Sequence, residues 1–500
     1  MKLSAVVWNK WRAMHDITLV NMNLLYIVYA DRVDRELHVP LGLLYLVSAL
    51  EEHGYRVDLR DYQLATGESP FDLEHTLAFL EDSAPIVGFS CMANLLPYTL
   101  LVAQAFKARH PEKTVVLGGT GPTAVEGDIL QKFDAVDVIV RGEGERTIVD
   151  LMDALTAGRG LHSVAGISYR SNGSPVENPP RPRITDLDAL PWPAYHRLEM
   201  AAYQGYGLVT SRGCPYRCTF CSVAPIWEHQ AVLRSVQSVV TEMQHLFETY
   251  GVAMFLLQDE YFVSDKARML DFCATLKSAG LPVHWKCFAR INLVNEEMLR
   301  AMADAGCVHV RYGVESGSDA VLRQVAKGFS AHQASDIIAL SAQIFPEVDA
   351  FFIWGFPFET MADFYKSVFQ MVLFRSWGVR VLPCLLSFLP QTAIYHDVWT
   401  GRYGGTLRFR PGLTPEYVAT GHETSSAGRI AISAEQQPLF DFIAAHPDLF
   451  PGFLQWEPET NVWPKLGVLR DLGFYPDARS TSEATFPIRD DDETKDQART

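Results

Sequence analysis

No stretch of this 500-residue chain approaches the roughly 18 consecutive apolar residues that a membrane-spanning helix needs. Its most apolar window, 41–50, has the pattern of a buried helix. Residues 1–14 are interrupted by Lys10 and Arg12 and hold no long apolar run, so a secretory signal is not expected. Positive charge is in short supply: 43 Lys and Arg face 59 Asp and Glu, and the net charge of −16 argues against a protein that grips nucleic acid by its phosphates. Cysteine is scarce as well, with eight residues in 500, which does not make a disulfide framework. The expected setting is the reducing cytoplasm, with neither nucleic acid nor a membrane span. What the chain does have is apolar bulk, 48% hydrophobic residues, enough over this length for two or three domains.

The few cysteines are unevenly spread. Cys214, Cys218 and Cys221 fall within eight positions, in a loop at 211–222 that follows a short apolar strand expected over 208–210. The spacing C-x-x-x-C-x-x-C gathers three soft thiolates that can hold three irons of a [4Fe-4S] cluster and leave the fourth open to a small molecule. Zinc is the alternative, but it normally takes four protein ligands, and no second Cys/His pair with ligand spacing follows. A disulfide would leave one thiol over. Cys91, Cys273, Cys287, Cys307 and Cys384 read as core residues.

With Phe220 just ahead of the third cysteine, the loop resembles the C-x-x-x-C-x-aromatic-C signature of the radical S-adenosylmethionine (SAM) superfamily. The resemblance implies that SAM chelates the open iron through its amino and carboxylate groups. It also implies an external electron donor of flavodoxin or ferredoxin type, whose electron splits SAM to methionine and a 5′-deoxyadenosyl radical.

Upstream of the loop, strands expected over 17–21, 56–61, 86–90, 115–117 and 136–140 alternate with helices over 40–53, 98–109 and 146–157. This is the pattern of a doubly wound, Rossmann-like α/β sheet, whose ligands sit beyond the carboxyl ends of the strands. Three of those ends run into small polar loops that carry Ser90, then Gly118 and Gly119, then Gly142 and Glu143. The succession PLGLLY at 40–45, GFS at 88–90, GG at 118–119 and RGEGE at 141–145 resembles the cobalamin-binding domain that precedes the radical SAM domain in one large subclass. The resemblance covers about 17–178 and implies that Ser90, Gly118, Gly119, Gly142 and Glu143 face cobalamin. The D-x-H-x-x-G motif is absent, which implies a cobalt without a histidine lower ligand, or a domain that is structural only.

Prolines and polar residues over 171–193 read as a linker. Strands are then expected over 254–257, 283–288, 309–314, 350–354 and 379–388, with a helix over 235–250 among those between them. Counted with the strand before the cysteines they make six βα units, a partial (β/α)6 barrel with its site at the carboxyl ends of its strands. Those ends carry Gln258, Asp259, Arg290 and Glu315. By the same resemblance Gln258 and Asp259 hold the SAM amino group, although the usual Gly-Gly-Glu is not present, while Arg290 holds the carboxylate and Glu315 the ribose hydroxyls. Phe220 belongs with them at the cluster. The dull alternative for each charged residue is a salt bridge on the barrel rim. The expected organisation is an extension at 1–15, a cobalamin-type domain at 16–178, a linker at 179–205 and the barrel at 206–395. A mostly helical C-terminal region at 396–479 closes the barrel mouth and contacts substrate, and a disordered acidic tail occupies 480–500.

Together the resemblances imply a cobalamin-dependent radical SAM methyltransferase with a small-molecule substrate. One SAM methylates cobalamin, and a second yields the radical that takes hydrogen from an unactivated carbon, which then captures the methyl group. The rival is a radical SAM dehydratase, rearrangement or oxidation enzyme whose N-terminal domain is empty or structural; a dehydratase would need a general acid or base. A non-catalytic cluster-bearing or zinc-stabilised binding protein is the reading from another class.

Overall fold

The first strand, β1 (Ile17–Asn21), is buried along its whole length, as a strand covered on both faces requires. The computed structural model describes residues 15–22, 26–29, 32–35, 37–65, 71–257, 259–413 and 437–475. The extension up to residue 14, Gln258 and the acidic tail lie outside the described residues. An antiparallel hairpin, β2 (Tyr26–Tyr29) and β3 (Arg32–Arg35), follows β1. Helix α1 (Leu41–Glu52) leads to β4 (Val57–Asp61) and β5 (Ile86–Ser90), and α2 (Leu96–Arg109) to β6 (Thr114–Gly118) and β7 (Val138–Val140). Helix α3 (Gly144–Thr156) follows.

The sheet order is β4-β1-β5-β6-β7, all parallel, so the chain reverses its direction of winding between β1 and β5. Ligands of such sheets lie at that switch point. Side chains alternate across the sheet: Leu19 and Val116 pack with Leu43, Val47 and Ile148 on one face, while Val20 and Leu117 pack with Phe89 and Phe106 on the other. Two more strands, β8 (Ile167–Ser171) and β9 (Ser174–Glu177), extend the sheet antiparallel to β7. They occupy part of the stretch expected to be linker. The signal was present: Asn172 and Gly173 both take positive φ, 50° and 80°, as a two-residue hairpin turn demands.

The second unit begins with β10 (Ser211–Arg212), which among the described residues pairs only with β11 (Val232–Leu233). Helix α4 (Val236–Tyr250), capped by the Ser235 hydroxyl, precedes β12 (Met254–Leu257). Strands β13 (His284–Ala289), β14 (Cys307–Glu315), β15 (Glu347–Trp354) and β16 (Arg380–Leu385) continue in sequential parallel order. The strand expected over 208–210 is reduced to a single parallel bridge between Gly207 and Leu256, one residue earlier. Its ladder stops because the Thr210 amide donates to the Asp259 carboxylate, at 2.6 Å, instead of to a neighbouring strand.

The C-terminal region forms a small ribbon, β17 (Leu407–Phe409) with β18 (Leu454–Trp456), and two main helices, α5 (Gln437–Ala445) and α6 (Trp463–Asp471). Leu439 and Ile443 of α5 join the core of the N-terminal sheet, and Leu466 and Leu469 of α6 join the barrel core. The region thus straps the two units together. One buried anchor is Lys465, whose ammonium lies 2.7 Å from the Glu359 carboxylate in the loop after β15. Lys465→Ala would strand that carboxylate without a counter-charge, and a loss of about 3–5 kcal/mol is expected, read as a lower denaturation midpoint.

Candidate functional site

The cysteine loop hangs between β10 and β11. Gly213 at φ +91° turns the chain into it, and a Cβ there would sit 2.2 Å from the Gln230 carbonyl oxygen, so no larger residue fits. Cys214, Cys218 and Cys221 then line one wall of a cavity of about 320 Å³. Burial pushes the Cys221 thiol up to about 11 and also raises Cys214, so metal binding there must displace protons. Among the described residues no three metal-ligating side chains gather closely enough to hold a single ion. Three thiols on one cavity wall can serve three irons of a cluster and leave a fourth open to the cavity, whereas a structural zinc ion takes four protein ligands.

The opposite walls come from the barrel strand ends, with Glu260, Tyr261, Arg290 and Glu315, and from Lys327 in the segment between two helices after β14; Phe220 stands beside the cysteines. The Arg290 guanidinium stacks 3.6 Å from the Tyr216 ring centroid, donates to the Lys327 carbonyl, and brings Nη1 within 3.3 Å of the Cys218 sulfur. Glu315 sits at φ +69°, where the β14–β15 register slips, and its carboxylate accepts from Lys327 Nζ at 2.9 Å. Phe220 packs edge-on against Phe356, with centroids 6.3 Å apart. Cations and carboxylates on one wall and sulfurs on the other suit a ligand that carries an ammonium, a carboxylate and hydroxyls.

Asp259 is not on that wall. Its Oδ2 accepts from the amides of Thr210 and Ser211, at 2.6 and 2.9 Å, and from the Thr210 hydroxyl, and burial raises its pKa to about 7. Its neighbour Glu260 lines the cysteine cavity instead, and loss of hydration raises its pKa too. Of the two neighbours it is Glu260 that lines the cysteine cavity, while Asp259, expected there, does not.

A second cavity, about 340 Å³, opens at the carboxyl ends of β5, β6 and β7. All five residues expected there, Ser90, Gly118, Gly119, Gly142 and Glu143, line it. Its floor is apolar, with Leu19, Gly88 and Val116 from the sheet and Leu43, Leu46 and Ile148 from the helices. Gly119, at φ +98°, lets the β6 loop lie against the β5 loop, since a Cβ would come within 2.5 Å of the Cys91 carbonyl oxygen. An apolar floor with a glycine-rich lip fits a large flat ligand with a tail. The far wall belongs to the second unit: Val209, Ser211, Arg212, Trp227, Asp259 and Glu260.

Glu143 has a further task that the sequence did not indicate. Its carboxylate accepts from Arg212 at 2.8 Å and from the Ile184 amide at 2.6 Å, and Glu145 accepts from the same guanidinium at 2.5 Å. All three side chains are at least nine-tenths buried. Arg212 stands two residues before Cys214, so the RGEGE loop of the first unit fixes the root of the cysteine loop in the second. Lys327, Glu260 and Arg212 were all missed in the sequence, because each is brought to its cavity by contacts between distant segments. No described residue beyond Phe351 lines either cavity; from the described C-terminal region Trp456 packs in one apolar cluster with Phe356 of the loop after β15 and Phe220 of the cysteine loop.

Comparison with known proteins adds two family matches: a B12 binding domain over residues 29–152 and the radical SAM superfamily over residues 208–371. An uncharacterized methyltransferase of Pyrococcus horikoshii is 33% identical over 336 residues, covering 65% of this chain and 71% of the relative. An anaerobic magnesium-protoporphyrin IX monomethyl ester cyclase of Synechocystis is 28% identical, with 69% of this chain and 70% of the cyclase covered. Among solved structures, the radical SAM methyltransferase TsrM of Kitasatospora setae with cobalamin and a [4Fe-4S] cluster bound superposes at a TM-score of 0.62. That match has 18% identity and covers 79% of this chain and 76% of that one.

Proposed function

Because the chain belongs to the cobalamin-binding radical SAM superfamily, we propose that it is a methyltransferase that alkylates an unactivated carbon of a small-molecule substrate. Its cofactors are a [4Fe-4S] cluster, SAM and cobalamin. When bound, the cluster and SAM supply a 5′-deoxyadenosyl radical and the corrinoid supplies a methyl group. The chain's own part is to hold these in line and to keep water out.

In this reading Cys214, Cys218 and Cys221 ligate the cluster, and Phe220 shields it. Glu260 takes the SAM ammonium and Arg290 the carboxylate, while Glu315, steadied by Lys327, takes the ribose hydroxyls. Ser90, Gly118, Gly119 and Gly142 cradle the corrinoid, and Glu143 positions the cysteine loop through Arg212. The observation that carries the methyl-transfer reading is that Glu260 lines both cavities, so the two meet at one residue where a substrate carbon could face both sources. Pro215 and Arg217 of the cysteine loop are exposed, leaving an approach for an external flavodoxin- or ferredoxin-type donor. No helix among the described residues is long and apolar enough to cross a membrane.

The match to the cyclase keeps one rival in view, radical chemistry without methyl transfer. Under anaerobic turnover with SAM and reductant, the methyltransferase makes both S-adenosylhomocysteine and 5′-deoxyadenosine. Formation of 5′-deoxyadenosine alone, with the natural substrate present, would decide for the rival.

A further inference from the structure

The three cysteine sulfurs are not served alike. Backbone hydrogen bonds reach two of them: the Tyr216 amide favours the Cys214 thiolate, and the Val223 and Ala224 amides favour that of Cys221. Those donors belong to the main chain, and any sequence with this loop conformation would supply them. The Cys218 sulfur instead receives a side chain, with Arg290 Nη1 at 3.3 Å. A second polar neighbour, the Ala326 carbonyl oxygen at 3.8 Å, has no proton to give.

The guanidinium is aimed by its surroundings. Nε donates to Asn292 Oδ1 at 3.2 Å, Nη2 donates to the Lys327 carbonyl, and the group lies over the Tyr216 ring, 3.6 Å from its centroid. Tyr216 stands between Cys214 and Cys218 in the loop and packs edge-on against Tyr261, with centroids 6.1 Å apart. An arginine carries five N–H groups in one plane; three are engaged here, and two remain for the SAM carboxylate. Serving a sulfur and receiving a carboxylate are therefore compatible tasks. A hydrogen bond and a positive charge at a cluster sulfur stabilise the more negative, reduced state, so both raise the reduction potential.

We propose that Arg290 tunes the cluster, donating a hydrogen bond from Nη1 to the Cys218 sulfur that makes the cluster easier to reduce. The proposal rests on the reading of the three cysteines as cluster ligands; a sulfur bound to iron keeps lone pairs with which to accept. The step it affects is the gain of one electron by the cluster from the external donor, which is oxidised by one electron, and no bond is made or broken. This task is separate from holding SAM, and the test separates the two by omitting SAM.

The test is a redox titration of the reconstituted full chain without SAM, with the reduced cluster counted by electron paramagnetic resonance and normalised to iron content. Arg290→Lys keeps the charge and loses the planar fork. At a poise near the wild-type midpoint its ratio of reduced to oxidised cluster falls about fivefold or more. Tyr216→Leu, which leaves Arg290 in place without its stacking partner, moves the midpoint in the same direction by less. The hydrogen bond itself is read by electron–nuclear double resonance of the reduced wild type made with nitrogen-15 arginine, which shows a nitrogen coupling to the cluster that Arg290→Lys lacks. Wild-type protein without that coupling would overturn the tuning, as would an Arg290→Lys variant with the wild-type midpoint, and both results leave the cysteine ligation standing. Wild-type protein that assembles no cluster would overturn the ligation as well.

Discussion

Cys214→Ala, Cys218→Ala and Cys221→Ala are each expected to reduce SAM cleavage below detection and to strip iron from the reconstituted protein. In the proposed reading each thiolate would serve one iron, and among the described residues no other cysteine lines that cavity to replace it. The loss should be specific. The three thiols face a cavity rather than a packed core, so circular dichroism and the melting transition of the apo-protein should stay close to wild type. Cys273→Ala is the matched control. Cys273 is 3% exposed and packed among Met269, Phe272 and Trp285, so its replacement costs packing, about 1 kcal/mol, yet keeps the cluster and turnover. Iron content, sulfide content and 5′-deoxyadenosine formation read all four variants together. Full SAM cleavage by a triple-alanine variant would end the account of the loop.

The second large effect separates two neighbouring acids. Glu260→Gln should weaken SAM binding about 10- to 150-fold, the worth of a charge-assisted hydrogen bond to an ammonium of roughly 1.5–3 kcal/mol. Asp259→Asn should change it little, because the asparagine carbonyl can still accept from the Thr210 and Ser211 amides that Asp259 Oδ2 now serves. Equilibrium binding of SAM to the cluster-loaded protein measures both. The opposite ranking would return the ammonium site to Asp259 and place Glu260 on the substrate side alone.

That pair also shows where sequence reasoning stopped. The three cysteines were legible because they lie in one short loop whose spacing carries the chemistry, and the structure puts all three on one cavity wall. The strand-end residues of the first unit were legible too, since a doubly wound sheet leaves small residues where its ligand must approach, and all five line the cavity. Asp259 and Glu260 could not be told apart, because no local pattern says which of two adjacent carboxylates reaches the cysteine cavity, and Asp259 is held by the amides of Thr210 and Ser211, some fifty positions earlier. The link from Glu143 and Glu145 to Arg212 is of the same kind, an ion pair between residues 69 and 67 positions apart that no local pattern announces. The strand before the cysteines was misplaced for a related reason, since its last amide turns to a carboxylate. The β8–β9 hairpin is different: Asn172-Gly173 announced it, and the surrounding polar residues and prolines drew the reading to a linker.

The account stands or falls on one spatial statement, that the cluster and the corrinoid face each other across Glu260. Electron paramagnetic resonance of the anaerobic protein tests it directly, with cobalt held as cob(II)alamin and the cluster reduced. The account predicts that the cobalt signal is broadened and relaxes faster when the cluster is reduced than in the Cys218→Ala variant, which lacks it. Identical cobalt spectra and relaxation with and without the reduced cluster would contradict it.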